Sequence, residues 1–232
     1  MKPYTLLCEH SESDDITYGL YERDGIKYYQ VNTQPVSSSK EVNCEHELAF
    51  MMSRPFKPAK QPKFLVIGLG VGGYLNALAE ALPQKKAIFE VLDLNSKSGS
   101  WFKEHLVEES STIGRTEFIT NKVVSYVKSK SDQYHGIFFD PELWRSFGNK
   151  EDLMSKPYLN YFVNALKMGG LLGMITERSD KIVLGRMERS GLEVRTERFS
   201  AVPGGKRQRT IWLAKKGHYV KQRDAERAAK EA

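Results

Sequence analysis

The chain has 232 residues, 40% hydrophobic and 28% charged, the make-up of one ordinary globular domain able to bury a full core. No apolar run approaches the roughly 20 residues needed to cross a bilayer, MKPYTLLCEHSESDD turns acidic without an apolar signal core, and Cys8 and Cys44 are too few for a disulfide framework, so a reducing cytoplasm is expected. The net charge of +6 lies wholly beyond Ala201, where nine Lys/Arg face three acids; this basic end predicts a footprint for a phosphate polymer or a solubilising tail.

In chain order, YTLLCEH and ITYGLYERDGIKYYQV alternate as strands, with Asp24-Gly25 marking a hairpin turn. SSSKEVNCEHELAFMMS predicts a helix capped by Ser39, with Val42, Leu48 and Met52 on its apolar face. PFKPAKQPK is a connector, so residues 1–60 are expected to form a small β appendage, read as a lid, a homodimer surface or both.

From Lys63 strands and helices alternate. KFLVIG is a buried strand and Gly72 to Leu82 a helix; AIFEVLDL is a strand followed by a helix over 98–109. TEFIT, the short helix VVSYVKSK and HGIFFD continue the series. YLNYFVNALK is a helix expected to stop at Gly169-Gly170, LLGMIT a fifth strand, and 181–189 a helix. EVRTERFSAV and RQRTIWLAKK form a closing hairpin around PGGK. This predicts an α/β fold: a doubly wound, mostly parallel seven-stranded sheet over residues 61–217 with a C-terminal antiparallel hairpin, followed by a basic tail over 218–232.

A strand entering a glycine turn and leaving as a helix is a way of holding an adenosine cofactor. Gly68, Gly70 and Gly72 fit G-x-G-x-G, and with Gly73 the stretch also fits the dinucleotide pattern. The absence of G-K-[ST] excludes a P-loop. Five β/α steps closed by a strand pair look like the layout of class I methyltransferases, which favours S-adenosylmethionine (AdoMet) over NAD. Asp93, at the end of the next strand, is then placed to accept the ribose hydroxyls, with Glu90 lying deeper or facing the other way. Asn121 would meet the adenine edge. Asp140 would orient an amine nucleophile or take its proton, or simply form a turn before Pro141.

VIGLGVGG resembles the nucleotide turn of the spermidine synthase (aminopropyltransferase) family, and EHELAFM resembles that family's Tyr-His-Glu segment. The family places an Asp where this chain has Val71 and a second carboxylate where it has Leu143, so this resemblance implies an altered acceptor. GVGGYLNALAEAL, HGIFFDP with the NKEDLMSKPYL that follows, and SGLEVRTERFSAVPGGKRQRTIWLA are similar to the methyltransferase domain of the bacterial tRNA 5-methylaminomethyl-2-thiouridine biosynthesis enzyme. That likeness implies an AdoMet-dependent, metal-free methyl transfer to an amine or base nitrogen of tRNA, with Lys206, Arg207 and Arg209 on the hairpin turn contacting phosphates. The alternatives are an aminopropyltransferase with altered acceptor, and a non-catalytic scaffold of the same fold that binds RNA or protein.

Overall fold

The computed structural model describes residues 3–146 and 152–217. It opens with an antiparallel sheet of four strands in sequence order, β1 (Thr5–Ser13), β2 (Ile16–Arg23), β3 (Ile26–Val31) and β4 (Gln34–Ser38). Asp24 and Gly25 join β2 to β3 with left-handed φ values of 54° and 75°, the conformation a two-residue hairpin turn requires. Helix α1 (Asn43–Ser53) buries Leu48 and Met52 as its spacing predicts. Ser39 does not cap it. The residue at the helix start is Val42, with no side-chain cap, and Ser39 Oγ instead accepts the Lys27 N–H at 2.9 Å, closing β4 onto β3.

The second sheet contains β5 (Lys63–Ile67), β6 (Ile88–Asp93), β7 (Thr116–Thr120), β8 (Tyr134–Phe139), β9 (Leu166–Thr176), β10 (Leu192–Ser200) and β11 (Gln208–Lys216). Their order across the sheet is β10-β11-β9-β8-β5-β6-β7. The five strands from β7 to β9 run parallel, and the β10–β11 hairpin adds antiparallel to β9. The helices between strands are α2 (Gly73–Ala81), α3 (Ser98–Trp101), α4 (Val123–Val127), α5 (Pro141–Ser146), α6 (Lys156–Ala165) and α7 (Lys181–Arg189). A π turn (Phe102–Leu106) continues α3, so the helix expected to reach residue 109 ends at Leu106. The predicted doubly wound sheet and closing hairpin are both present.

The glycine stop is a correction. Helix α6 ends at Ala165, and β9 begins at once because Leu166 is buried and pairs with Tyr134. The next pairing is Gly136 with Leu171, so four residues of β9 bulge out opposite one of β8. Gly169, at φ 73°, supplies the left-handed step that this bulge needs.

One apolar core runs through the described residues, from Tyr18 and Tyr29 of the first sheet through Leu48 and Met52 to Phe64, Phe139 and Trp212. Asn43 Nδ2 also donates to the Ser200 carbonyl at 2.8 Å, anchoring α1 to β10. The boundary expected at residue 60 thus falls in a connector, but α1 packs as part of the larger sheet's core. Among the described residues, no helix is long and apolar enough to span a membrane. The basic tail over 218–232 lies outside the described residues.

Candidate functional site

The parallel strands change winding direction between β5 and β8, and crevices in such sheets form beyond the strands' carboxyl ends at that point. The glycine turn leaves β5 there. Gly68, Gly70 and Gly72 take φ values of 81°, 56° and 79°, which disfavour any side chain. Asp93, at the end of β6, is 2% exposed. Its Oδ2 accepts the Leu69 N–H at 2.7 Å and its Oδ1 the Asn95 N–H at 2.8 Å. Burial pushes its pKa up to about 6 against the pull of those backbone donors. Asp93 therefore latches the glycine turn to the neighbouring strand. Glu90 lies deeper, as expected, and takes the Lys63 ammonium and the hydroxyls of Tyr126 and Tyr134.

The turn is roofed by the chain itself. Every residue from Gly68 to Ala79 is buried. A Cβ on Gly70 would meet Ser37 Oγ at 2.8 Å and Leu143 Cδ2 at 3.3 Å, and one on Gly72 would meet the Phe102 ring at 2.8 Å. One on Gly73 would run into Glu45 and Val42. Asn121 stands at the exposed end of β7, where its Oδ1 accepts the Lys122 N–H at 2.7 Å. Asp93 and the three glycines are thus buried beneath this roof, while Asn121 lies exposed at the edge of the sheet. In this arrangement side chains of β4, α1 and α5 and the Phe102 ring fill the space over the glycines, so AdoMet would need that roof to move aside.

An acid-lined pocket of about 240 Å³ opens next to the turn, between β4, α1, α5 and the closing hairpin. Asp140 lies at its floor, 6% exposed. Its Oδ1 accepts the N–H groups of Glu142 and Leu143, at 2.8 and 3.1 Å, and its Oδ2 receives Arg209 Nη2 at 2.8 Å. Asp140 is thus both the turn former and a charge partner. Arg209 Nη2 also lies 3.4 Å from Glu142 Oε2, and its Nε lies 3.5 Å from Glu177 Oε1 without hydrogen-bond alignment. Burial works against the guanidinium charge, but Asp140, Glu45 and Glu142 outweigh it and hold the Arg209 pKa above its ordinary value. Arg207 bridges Glu41 at 2.8 Å and Glu177 at 2.5 Å, and Glu142 Oε1 accepts the Glu177 N–H at 2.9 Å.

The trio expected to contact phosphates therefore divides. Arg209 is spent inside the pocket, Arg207 is held by two carboxylates, and Lys206 stands exposed. Apart from Asp140, the acids of this pocket went unread in the sequence, because they come from three separated stretches. The one available signal was the Glu-His-Glu run of α1. Glu45, its first member, lines the pocket, and its Oε2 is buried against Gly73 and accepts no hydrogen bond. Burial pushes its pKa up to about 8, with Arg209 opposing and Asp140 and Glu41 adding to the rise.

No known protein family matches the sequence, and no curated protein sequence matches it. Solved structures do. Spermidine synthase from Thermotoga maritima has a TM-score of 0.68 at 18% identity, covering 91% of this chain and 73% of its own. A probable spermidine synthase from Corynebacterium glutamicum has a TM-score of 0.63 at 13% identity, over 93% of this chain and 81% of its own. An O-methyltransferase family protein from Burkholderia thailandensis has a TM-score of 0.52 at 13% identity, over 76% of this chain and 57% of its own. The fold is the class I methyltransferase-like fold. It is shared by spermidine synthases that include a complex with the transition-state analogue AdoDATO. The likeness to the tRNA thiouridine enzyme finds no counterpart among these structures.

Proposed function

We propose that the acid-lined pocket binds a small organic cation, an aliphatic amine being the best match. The observation that carries this reading is the convergence of carboxylates. Among the described residues, Glu41, Asp140, Glu142 and Glu177 pair with Arg207 and Arg209, leaving a formal surplus of negative charge there. Glu45 adds a fifth carboxyl that can lose its proton when a cation arrives. At about 240 Å³ the pocket is smaller than a drug-sized site, which suits a short amine or diamine. Beside Val71 and Leu143, where the resembled family carries carboxylates, this pocket has Glu142 on α5 itself, Glu177 just after β9 and Glu45 on α1.

A second reading makes that amine the acceptor in a group transfer from an AdoMet-type sulfonium donor, carrying a methyl or an aminopropyl group. It is supported by the strand–glycine turn–helix unit and the shared fold, and it requires β4 and α1 to withdraw from the turn. A tRNA acceptor keeps the support of Lys206 and of the net positive charge of the chain beyond Ala201.

Calorimetric titration with 1,4-diaminobutane tests the first reading. Measurable binding is expected, lost in Glu142→Gln combined with Glu177→Gln, while a dicarboxylate of equal length gives no heat. Equal affinity in the double variant would overturn the proposal. Parallel titrations with AdoMet, decarboxylated AdoMet and tRNA decide whether the second reading applies.

A further inference from the structure

We propose that Cys8, Glu104 and His105 form a binding site for a divalent transition-metal ion, with zinc the best match. The cluster lies apart from the acid pocket, where β1 of the first sheet meets the π turn that continues α3. One thiol sulfur, one carboxylate oxygen and one imidazole nitrogen lie within 4.8 Å of one another there. Among the described residues this is the one group of three or more His, Cys, Asp or Glu side chains so placed.

The donor set is selective. Thiolate and imidazole with a carboxylate suit zinc or cobalt, whereas magnesium and calcium take oxygen ligands. A tetrahedral zinc with bonds of about 2.0–2.3 Å holds its ligands about 3.3–3.8 Å apart; His105 Nε2 and Glu104 Oε2 already stand 3.8 Å apart, and no pair exceeds 4.8 Å. Two of the groups are free to move closer: the Glu104 side chain is 64% exposed and that of His105 29%. Water completes the fourth position. Local backbone geometry presents the ligands. Cys8 follows a register shift in the β1–β2 pairing, and Glu104 and His105 occupy a π turn (Phe102–Leu106), a distortion that recurs at functional sites. Lys27 lies nearby, but its ammonium is committed to the His105 carbonyl, which fixes the turn against β3. Binding exchanges the Cys8 S–H bond for an S–metal bond and releases that proton to solvent. The ion would join the first sheet to the larger one.

The test uses the full-length protein, stripped with a chelator and titrated with Co²⁺ and then Zn²⁺. One equivalent of cobalt should develop tetrahedral d–d absorption and a sulfur-to-cobalt charge-transfer band, and zinc should displace it. Cys8→Ser should abolish the charge-transfer band. His105→Gln should weaken zinc binding by on the order of tenfold or more, while His10→Ala, outside the cluster, leaves it unchanged. Zinc should raise the unfolding temperature of the parent protein and not that of Cys8→Ser. Absence of a tetrahedral cobalt spectrum overturns the proposal, as does equal zinc affinity in Cys8→Ser and His105→Gln.

Discussion

Glu45 buries one carboxylate oxygen against the start of α2 without a hydrogen bond, and the consequence is a dependence of stability on pH. Its pKa rises from 4.5 to about 8. Between those values the native state holds a proton that the unfolded chain has released, so stability falls as pH rises through that window. Asp93, raised from 3.8 to about 6, acts in the same direction over the lower part of it. Urea unfolding should therefore show a midpoint that declines from about pH 5 to about pH 8. Glu45→Gln, which keeps the shape without the proton, should flatten the decline and leave the variant the more stable protein at the upper end. A parent curve that is level across the window would mean that Glu45 is hydrated. The same proton links to ligand: a cation in the pocket lowers the Glu45 pKa, so affinity for a guanidine or quaternary ammonium should increase toward pH 8.

At the scale of elements, the parallel strands depend on close packing at particular positions. Gly136 in β8 is one. A Cβ there would enter the ring of Phe64, which is 1% exposed and has no room to yield. Gly136→Ala should cost roughly 1–3 kcal/mol by overpacking, read as a lowered denaturation midpoint with an unchanged m-value. Most elements were legible in the sequence because their signals are local. The Asp24-Gly25 turn, the buried run of β5 and the amphipathic 181–189 helix each need only neighbouring residues to declare themselves. Gly169-Gly170 misled because a glycine pair ends a helix and opens a bulge equally well. Only the pairing of Leu166 with Tyr134, a long-range fact, separates the two. The pocket was illegible for a similar reason. Asp140 and Asp93 were found by position, but Glu142, Glu177 and Glu45 become partners only once β8, β9 and α1 are assembled. Arg209 looked like a free cation because its partners sit some seventy residues or more earlier in the chain or across the sheet.

For the molecule as a whole, the first sheet joins the second through the shared apolar core and, beside it, through polar contacts. Glu12 Oε2 accepts the Ser96 N–H at 3.0 Å, Asn95 Nδ2 donates to Tyr29 OH at 3.2 Å, and Ser37 Oγ accepts the Val71 N–H at 3.3 Å. Each net contribution is on the order of 1 kcal/mol, so removing two should loosen the sheet without unfolding the protein. If this sheet controls access to the turn, Glu12→Ala combined with Ser37→Ala should bind AdoMet more tightly than the parent chain in calorimetry. Equal affinity, or none in either, would show that the turn is closed by more than these contacts.

The Asp93 latch gives a way to follow that closure in time. The Leu69 and Asn95 amides end on a carboxylate that is itself beyond the reach of solvent, so neither can exchange its hydrogen unless the turn comes apart. Their exchange rates serve as a clock on the roof. If they exchange only with global unfolding, the glycine turn is a permanent structural knot. Exchange faster than the strand interiors, with opening free energies below that of unfolding, would reveal a minority state in which the first sheet has lifted. Its population would set the cost that any nucleoside must meet before it can be held.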